Sequence, residues 1–207
     1  NKLDEECYIK LINFHLENGT NGLVPAGTTG ESPTLSHSEH NKVIELCINE
    51  VKGKIPIIAG TGSNSTEEAV TLTKHAEKAG ADGALVVTPY YNKPTQEGLY
   101  QHYKTINDNT SLPIIIYNIP GRCVIDMSVD TMAKLFELKN ITGVKDATGD
   151  LKRLDESIKK LGPEFIQLTG EDALAFEFNK RGGVGIISVT ANIAPKLCAD
   201  MQKFSKS

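Results

Sequence analysis

The feature that most constrains this chain is a repeated switch between two apolar patterns. Short runs of strand type recur near residue 22 ("GLVPAG"), 55 ("IPIIAG"), 83 ("GALVVTP"), 112 ("LPIIIYN"), 141 ("ITGVKD"), 165 ("FIQLTG") and 184 ("VGIISV"). Between them apolar residues fall three and four apart, as in Val43, Ile44, Cys47, Ile48 and Val51, which is the period of a helix face. Ser36 with Glu39 and Ser65 with Glu68 stand at capping-box spacing, and Ser128 and Asp150 are single cap candidates. Gly19, Gly53, Gly80 and Gly162 follow periodic stretches, where helices commonly end. Seven strands apolar on both faces and joined by helices make a parallel α/β sheet.

The loops decide between an open sheet and a closed barrel. Segments leading from helix into strand are plain, such as "VKGK" and "KAGAD". Segments leaving strands are rich in functional side chains: "AGTTGESPT", "GTGSNS", "TPYYNKPTQEG", "YNIPGR", "KDATGD", "TGED" and "SVTAN". An open sheet gathers ligand residues at one switch point, whereas a (β/α)8 TIM barrel brings every strand exit to one mouth. The sequence therefore predicts a (β/α)8 barrel, one domain over 1–207. Residues 3–18 read as a helix with no strand before it, and "PKLCADMQKFSKS" as the helix after the last strand. The expectation is a barrel incomplete at both ends, lacking its first strand and its C-terminal helices.

Charge narrows the partners. The 22 Lys and Arg against 26 Asp and Glu leave a net −4, and no stretch clusters basic residues with interleaved aromatics as a nucleic-acid groove requires. No apolar run approaches the roughly 18 residues needed to span a bilayer, and "NKLDEECYIK" lacks the order of a signal peptide. A soluble cytoplasmic form is expected, bound neither to nucleic acid nor to membrane. Cys7, Cys47, Cys123 and Cys198 are too scattered for a disulfide framework or a metal set and read as reduced thiols.

One lysine needs an explanation. Lys145, in "GVKDATGD", closes the apolar run "NITGV", so its side chain is expected at the barrel mouth among apolar neighbours. Desolvation there favours the neutral amine, a nucleophile toward carbonyls that forms a Schiff base. Position alone does not separate this from a lysine paired with Asp146 or Asp150. Tyr117 ends the preceding strand and faces the same mouth, where a phenol relays protons if a second hydroxyl, such as that of Thr28 or Thr29, holds it. Arg122 in "YNIPGR" offers a planar fork suited to a carboxylate. Together these residues describe aldol chemistry on acids.

The motifs "GTTGES", "PYYNKPTQEG", "YNIPGR", "GVKDATGD" and "GIISVTAN" resemble, in order and spacing and from end to end, the pyruvate-dependent class I aldolases, the family of N-acetylneuraminate lyase. Arg122 and "DATGD" favour the branch that condenses pyruvate with aspartate semialdehyde, in diaminopimelate and lysine biosynthesis. Asp146, where that branch more often has Glu, and Pro33, often Ala, are small departures. The resemblance implies that Lys145 forms the Schiff base without a cofactor or metal. It makes Tyr117 the proton relay, in a hydroxyl chain with Thr28 and Tyr91, the latter reaching across a dimer interface of a homotetramer built from two dimers. It gives Thr29 the pyruvate carboxylate and Arg122 that of the second substrate, with Gly170 and Ile187 lining the pocket. It further implies an allosteric site for free lysine at Ser32, His37, His40, Asn64, Glu68 and Tyr90. Alternatives are an N-acetylneuraminate or keto-sugar-acid lyase, a sugar-phosphate aldolase using the glycines of "RGGVGIISV", and a non-catalytic small-molecule sensor.

Overall fold

The structure, a computed structural model, describes residues 3–205. Helices α1 (Glu5–Glu17) and α2 (His37–Val51) precede strand β1 (Ile58–Gly60). Helix and strand then alternate through α3 (Thr66–Ala79), β2 (Gly83–Val87), α4 (Gln96–Asn107) and β3 (Ile114–Asn118). A short α5 (Pro120–Cys123) and α6 (Val129–Phe136) lead to β4 (Ile141–Asp146), followed by α7 (Leu151–Leu161), β5 (Ile166–Thr169), α8 (Ala175–Lys180), β6 (Gly185–Ile186) and α9 (Pro195–Ser205). The six strands form one parallel sheet in chain order, which curls into an incomplete barrel.

Among the described residues six strands stand where seven were expected. "GLVPAG" contributes a single parallel bridge, Leu23 to Ile57, supported by Leu23 N donating to Pro56 O at 3.0 Å and Gly60 N donating to Pro25 O at 2.9 Å. Pro25 has no N–H to give, and Ala26 turns to φ +55°, so the ladder stops there. The Leu23 segment and β6 are the two edges of the sheet.

Strand alternation separates two cores. Ala84, Val86, Ile114, Ile116, Ile141 and Val144 face outward against Ile44, Ala69, Ala76, Leu99, Ile106, Met132 and Leu135 from the helices. Leu85, Ile115 and Tyr117 face inward with Val24, Ile58, Leu168 and Ile187. A bulge in β4 fixes which residue points into the barrel. Ile114 pairs with Ile141 but Ile115 with Gly143, and the skipped residue sets Lys145, rather than Val144, opposite Tyr117. Gly143 belongs at this bulge because a Cβ there would lie 2.4 Å from the Ile166 carbonyl oxygen.

Ser36 and Glu39 form the full capping box of α2, and Ser128 and Asp150 cap α6 and α7. The second expected box is only half made. Ser65 accepts from Glu68 N, but the Glu68 carboxylate turns instead to Ser63 and His37. All four cysteines are free; Cys47 and Cys123 are buried, while Cys7 is exposed. Among the described residues no helix is long and apolar enough to cross a membrane.

Candidate active site

The inward ends of β3 and β4 meet an open cleft of about 1380 Å³, lined at its mouth by Thr28, Thr29, Tyr117, Arg122, Lys145, Gly170 and Ile187. It runs on past Leu23 and Ile186 to the space between α1 and α9, along the unpaired edges of the sheet.

Lys145 is 9% exposed, and its Nζ lies 4.1 Å from the centre of the Tyr117 ring. Burial lowers its pKa from 10.5 to about 8, against the opposing pull of Asp172 and then Glu171. The structural alternative of a rim ion pair is removed by what its neighbours do. Asp146 is held by Arg153 Nε at 2.8 Å and by Thr148 N at 2.9 Å, and Asp150 caps α7 by accepting from Lys152 N. Among the described residues no carboxylate makes an ion pair with Lys145. The aliphatic stem needs a missing side chain beside it, since a Cβ on Gly170 would stand 3.0 Å from Lys145 Cε and 2.8 Å from Ala147 Cβ.

Burial also raises the Tyr117 phenol, while a hydrogen bond with Thr28 and the charge of Arg122 draw it back. Thr28 and Thr29 sit on an exposed turn that lies over the end of β1 because residue 60 is glycine; a Cβ there would be 2.2 Å from Ala26 O. Arg122 extends from α5 and is exposed at the rim. Gly170 and Ile187 line the cleft with their N–H groups already taken, Gly170 N donating to Asp146 O at 2.8 Å and Ile187 N to Thr169 O at 3.0 Å.

Tyr91 does not join the cleft. It is 90% exposed on the loop after β2, with φ +71°. Within "RGGVGIISV", Gly183 is explained by packing, since a Cβ there would overlap the Phe178 ring at 2.1 Å, and Gly182 by its φ of +103°.

Of the six residues expected at a second cleft, His37, His40 and Glu68 meet at the starts of α2 and α3, and Asn64 lies just before α3. His37 Nε2 bonds Glu68 Oε1 at 2.7 Å, and Ser63 donates to the other Glu68 oxygen. The Glu68 pKa is lowered, first by Ser63 and then by His37. His40 is buried, and desolvation lowers its pKa against the opposing pull of the Gly60 backbone. Asn92 Nδ2 donates to Asn64 O at 2.9 Å, drawing the Tyr90 and Tyr91 loop to this side. Ser32 opens a short helical turn that follows the Thr28 turn.

Two features escaped the sequence reading. Asp172, in "TGED", accepts from Ser188 Oγ, Val189 N at 3.0 Å and Thr190 N at 3.2 Å; burial would raise its pKa, but these donors hold it below the ordinary value. It is thus a fixed negative charge facing Lys145. A polar network around Asn118, Asp126 and Arg153 lies behind the Arg122 turn. Only the acidic character of "TGED" hinted at the first, and nothing local marks the second.

The sequence profile of the dihydrodipicolinate synthetase family matches residues 1–207. A 4-hydroxy-tetrahydrodipicolinate synthase of Pelagibacter ubique is 75% identical over 206 residues, covering 100% of this chain and 70% of that protein. A chloride-inhibited dihydrodipicolinate synthase of Acinetobacter baumannii, solved in complex with pyruvate, superposes with a TM-score of 0.96 at 52% identity, covering 98% of this chain and 70% of that one. The enzyme of Cyanidioschyzon merolae with lysine bound superposes with a TM-score of 0.93 at 38% identity, covering 99% of this chain and 69% of that one.

Proposed function

The chain belongs to the dihydrodipicolinate synthetase family, and from that premise we propose that its cleft condenses pyruvate with L-aspartate 4-semialdehyde to 4-hydroxy-tetrahydrodipicolinate, a carbon–carbon lyase-type reaction of diaminopimelate and lysine biosynthesis. The observation that carries the reading is Lys145, a buried amine whose pKa is lowered to about 8, held over the Tyr117 ring at the end of β4.

An amine with that pKa is partly neutral near pH 7 to 8 and attacks the C2 carbonyl of pyruvate. The carbinolamine loses water to an iminium, which withdraws electrons from C3. Loss of a C3 proton gives the enamine, whose carbon attacks the aldehyde of the second substrate. The amino group of that substrate then adds to the iminium carbon, closes the ring and releases Lys145. One water leaves overall, and the protonated imine is its own electron sink, so the cycle draws on no further cofactor.

Tyr117 carries protons on and off these intermediates, with Thr28 holding its hydroxyl. Thr29 seats the pyruvate carboxylate, Gly170 and Ile187 line the pocket through backbone groups, and Arg122 receives the second carboxylate. Asp172, fixed by three donors, favours the iminium cation. Tyr91, exposed and held at positive φ, reaches a neighbouring subunit's site in a dimer of dimers. Free lysine binds at Ser32, His37, His40, Asn64, Glu68 and Tyr90 as an inhibitor. The working location is the cytoplasm, where the four thiols remain free.

Borohydride reduction in the presence of pyruvate tests this directly. The expected product is one reduced pyruvyl group on the peptide bearing Lys145; modification of another lysine, or of none, rejects the reading.

A further inference from the structure

The Arg122 turn is held from behind by side chains that touch no part of the cleft. Residues 119–128 connect β3 to α6, and the turn contains Val124 at φ +68°. A β-branched residue in the left-handed region is strained and persists only where its surroundings dictate it. The surroundings here are a chain of polar contacts. Asn118, fully buried at the end of β3, donates to Asp126 Oδ1 at 2.7 Å and accepts from Met127 N at 3.0 Å. Arg153 on α7 binds Asp146 at 2.8 Å through Nε, donates to the Met127 carbonyl oxygen, and approaches Asp126 at 3.4 Å. Gln96 at the start of α4 donates to Asp126 O at 2.8 Å and accepts from Ser128 N at 3.0 Å.

The geometry has a direction. Asp146 follows Lys145 on β4 and faces the opposite side of the sheet. Arg153 therefore grips the lysine strand from outside with one nitrogen and the Arg122 turn with the others. Its side chain is only 13% exposed, and its planar fork is what allows three acceptors on two segments to be held at once.

We propose that Arg153, acting with Asn118 and Asp126, is a positioning residue for the second substrate, pinning the 119–128 turn to the lysine strand and so fixing Arg122 relative to Lys145. This rests on the reading of Arg122 as the binder of the semialdehyde carboxylate. The pyruvate half of the site is built on β4, Thr29, Gly170 and Ile187 and does not pass through the turn. Loss of the clamp is therefore felt by one substrate.

The experiment compares Arg153→Gln, Arg153→Lys, Asp126→Ala and Arg122→Ala in the enzyme at its natural length. It measures KM for each substrate, the rate of borohydride trapping with pyruvate, and the melting temperature. Arg153→Gln is expected to raise KM for the semialdehyde roughly ten- to a hundredfold, the scale of an ångström-level misplacement, with pyruvate KM and trapping rate unchanged. Arg153→Lys, which keeps charge but not the fork, falls between. Adding Val124→Gly to Arg153→Gln removes the strain that the clamp opposes and restores part of the lost semialdehyde affinity. Should Arg153→Gln fail to fold, Asp126→Ala carries the test, because Asp126 is half exposed and its loss leaves Arg153 bound to Asp146. A folded variant with unchanged semialdehyde KM, or with both KM values raised in parallel, overturns the proposal. An Arg122→Ala enzyme with normal semialdehyde KM instead overturns the assignment of Arg122 itself, and the clamp loses its purpose with it.

Discussion

The cleft at the strand ends and the cluster at the starts of α2 and α3 set the charge of their key residues by opposite means. Lys145 is shifted first by loss of water, whereas Glu68 is shifted first by hydrogen bonds from Ser63 and His37. Desolvation works against folding, because it disfavours the charged form that the unfolded chain prefers. Hydrogen bonding works with folding, because it favours the charge already present. The Lys145 amine is thus bought with stability, and the Glu68 carboxylate is not. The two sites also differ in delivery. Strand register places Tyr117 and Lys145 side by side and buried at the wall of the cleft, while helix starts leave His37 and Glu68 76% and 37% exposed at their side chains.

The largest effect that would break this contrast is on turnover. Lys145→Arg keeps a cation but supplies no neutral nucleophile at any working pH. A loss of at least about 10⁴-fold in kcat is expected, as when a covalent nucleophile is removed, with pyruvate still bound non-covalently. Substantial turnover in steady-state assays would show that the buried lysine is not the reacting group.

The next effect is on stability, with the sign set by linkage. Lys145 titrates near 8 in the folded chain and at its ordinary 10.5 when unfolded. Between those values the unfolded state binds more protons, so stability rises with pH. The penalty is full below about pH 8 and vanishes above 10.5. Lys145→Met removes it and is expected to stabilise the fold by up to about 3 kcal/mol at pH 7, from 1.36 kcal/mol per pKa unit, with the gain shrinking toward pH 10. Denaturant titrations at several pH values read this. A variant less stable than the parent at pH 7 would mean that its contact with Tyr117 outweighs desolvation.

How far the sequence reached follows the same division. Lys145, Tyr117 and the curled parallel sheet were legible because strand period and apolar runs are local patterns that burial enforces. The bulge that selects Lys145 over Val144 was not, since it arises from pairing with β3. The Leu23 segment was overread as a full strand because an apolar run does not show that Pro25 and the Ala26 turn end the ladder. The second capping box failed for a similar reason. Ser65 and Glu68 have the right spacing, but His37, 31 residues away, and Ser63 take the carboxylate. The clamp was invisible, because its contacts join Asp126 and Arg153 across 27 residues with no repeating pattern.

The smallest effect concerns that diverted carboxylate and sharpens the contrast most. Glu68 has a lowered pKa, so its contribution to stability is present above the ordinary 4.5 and is lost as pH falls through the folded value. Because the His37–Glu68 pair is exposed, the contribution is only about 0.2–1 kcal/mol, and Glu68→Thr should barely move the unfolding midpoint. Its consequence lies in binding. An ionised carboxylate, pre-oriented by Ser63 and accessible to solvent, has the charge to receive the α-ammonium in the lysine site proposed above, and the Asn92 contact ties the Tyr90 loop to Asn64 just before α3. Coupling to catalysis would pass from Tyr90 to Tyr91, its neighbour in sequence, and typical coupling energies of about 1–3 kcal/mol predict partial inhibition. Glu68→Thr is therefore expected to abolish inhibition by millimolar-range lysine while leaving kcat, both KM values and stability near those of the parent. Initial-rate measurements with and without lysine decide it: a parent enzyme indifferent to lysine, or a variant still inhibited, removes the effector role from this cluster.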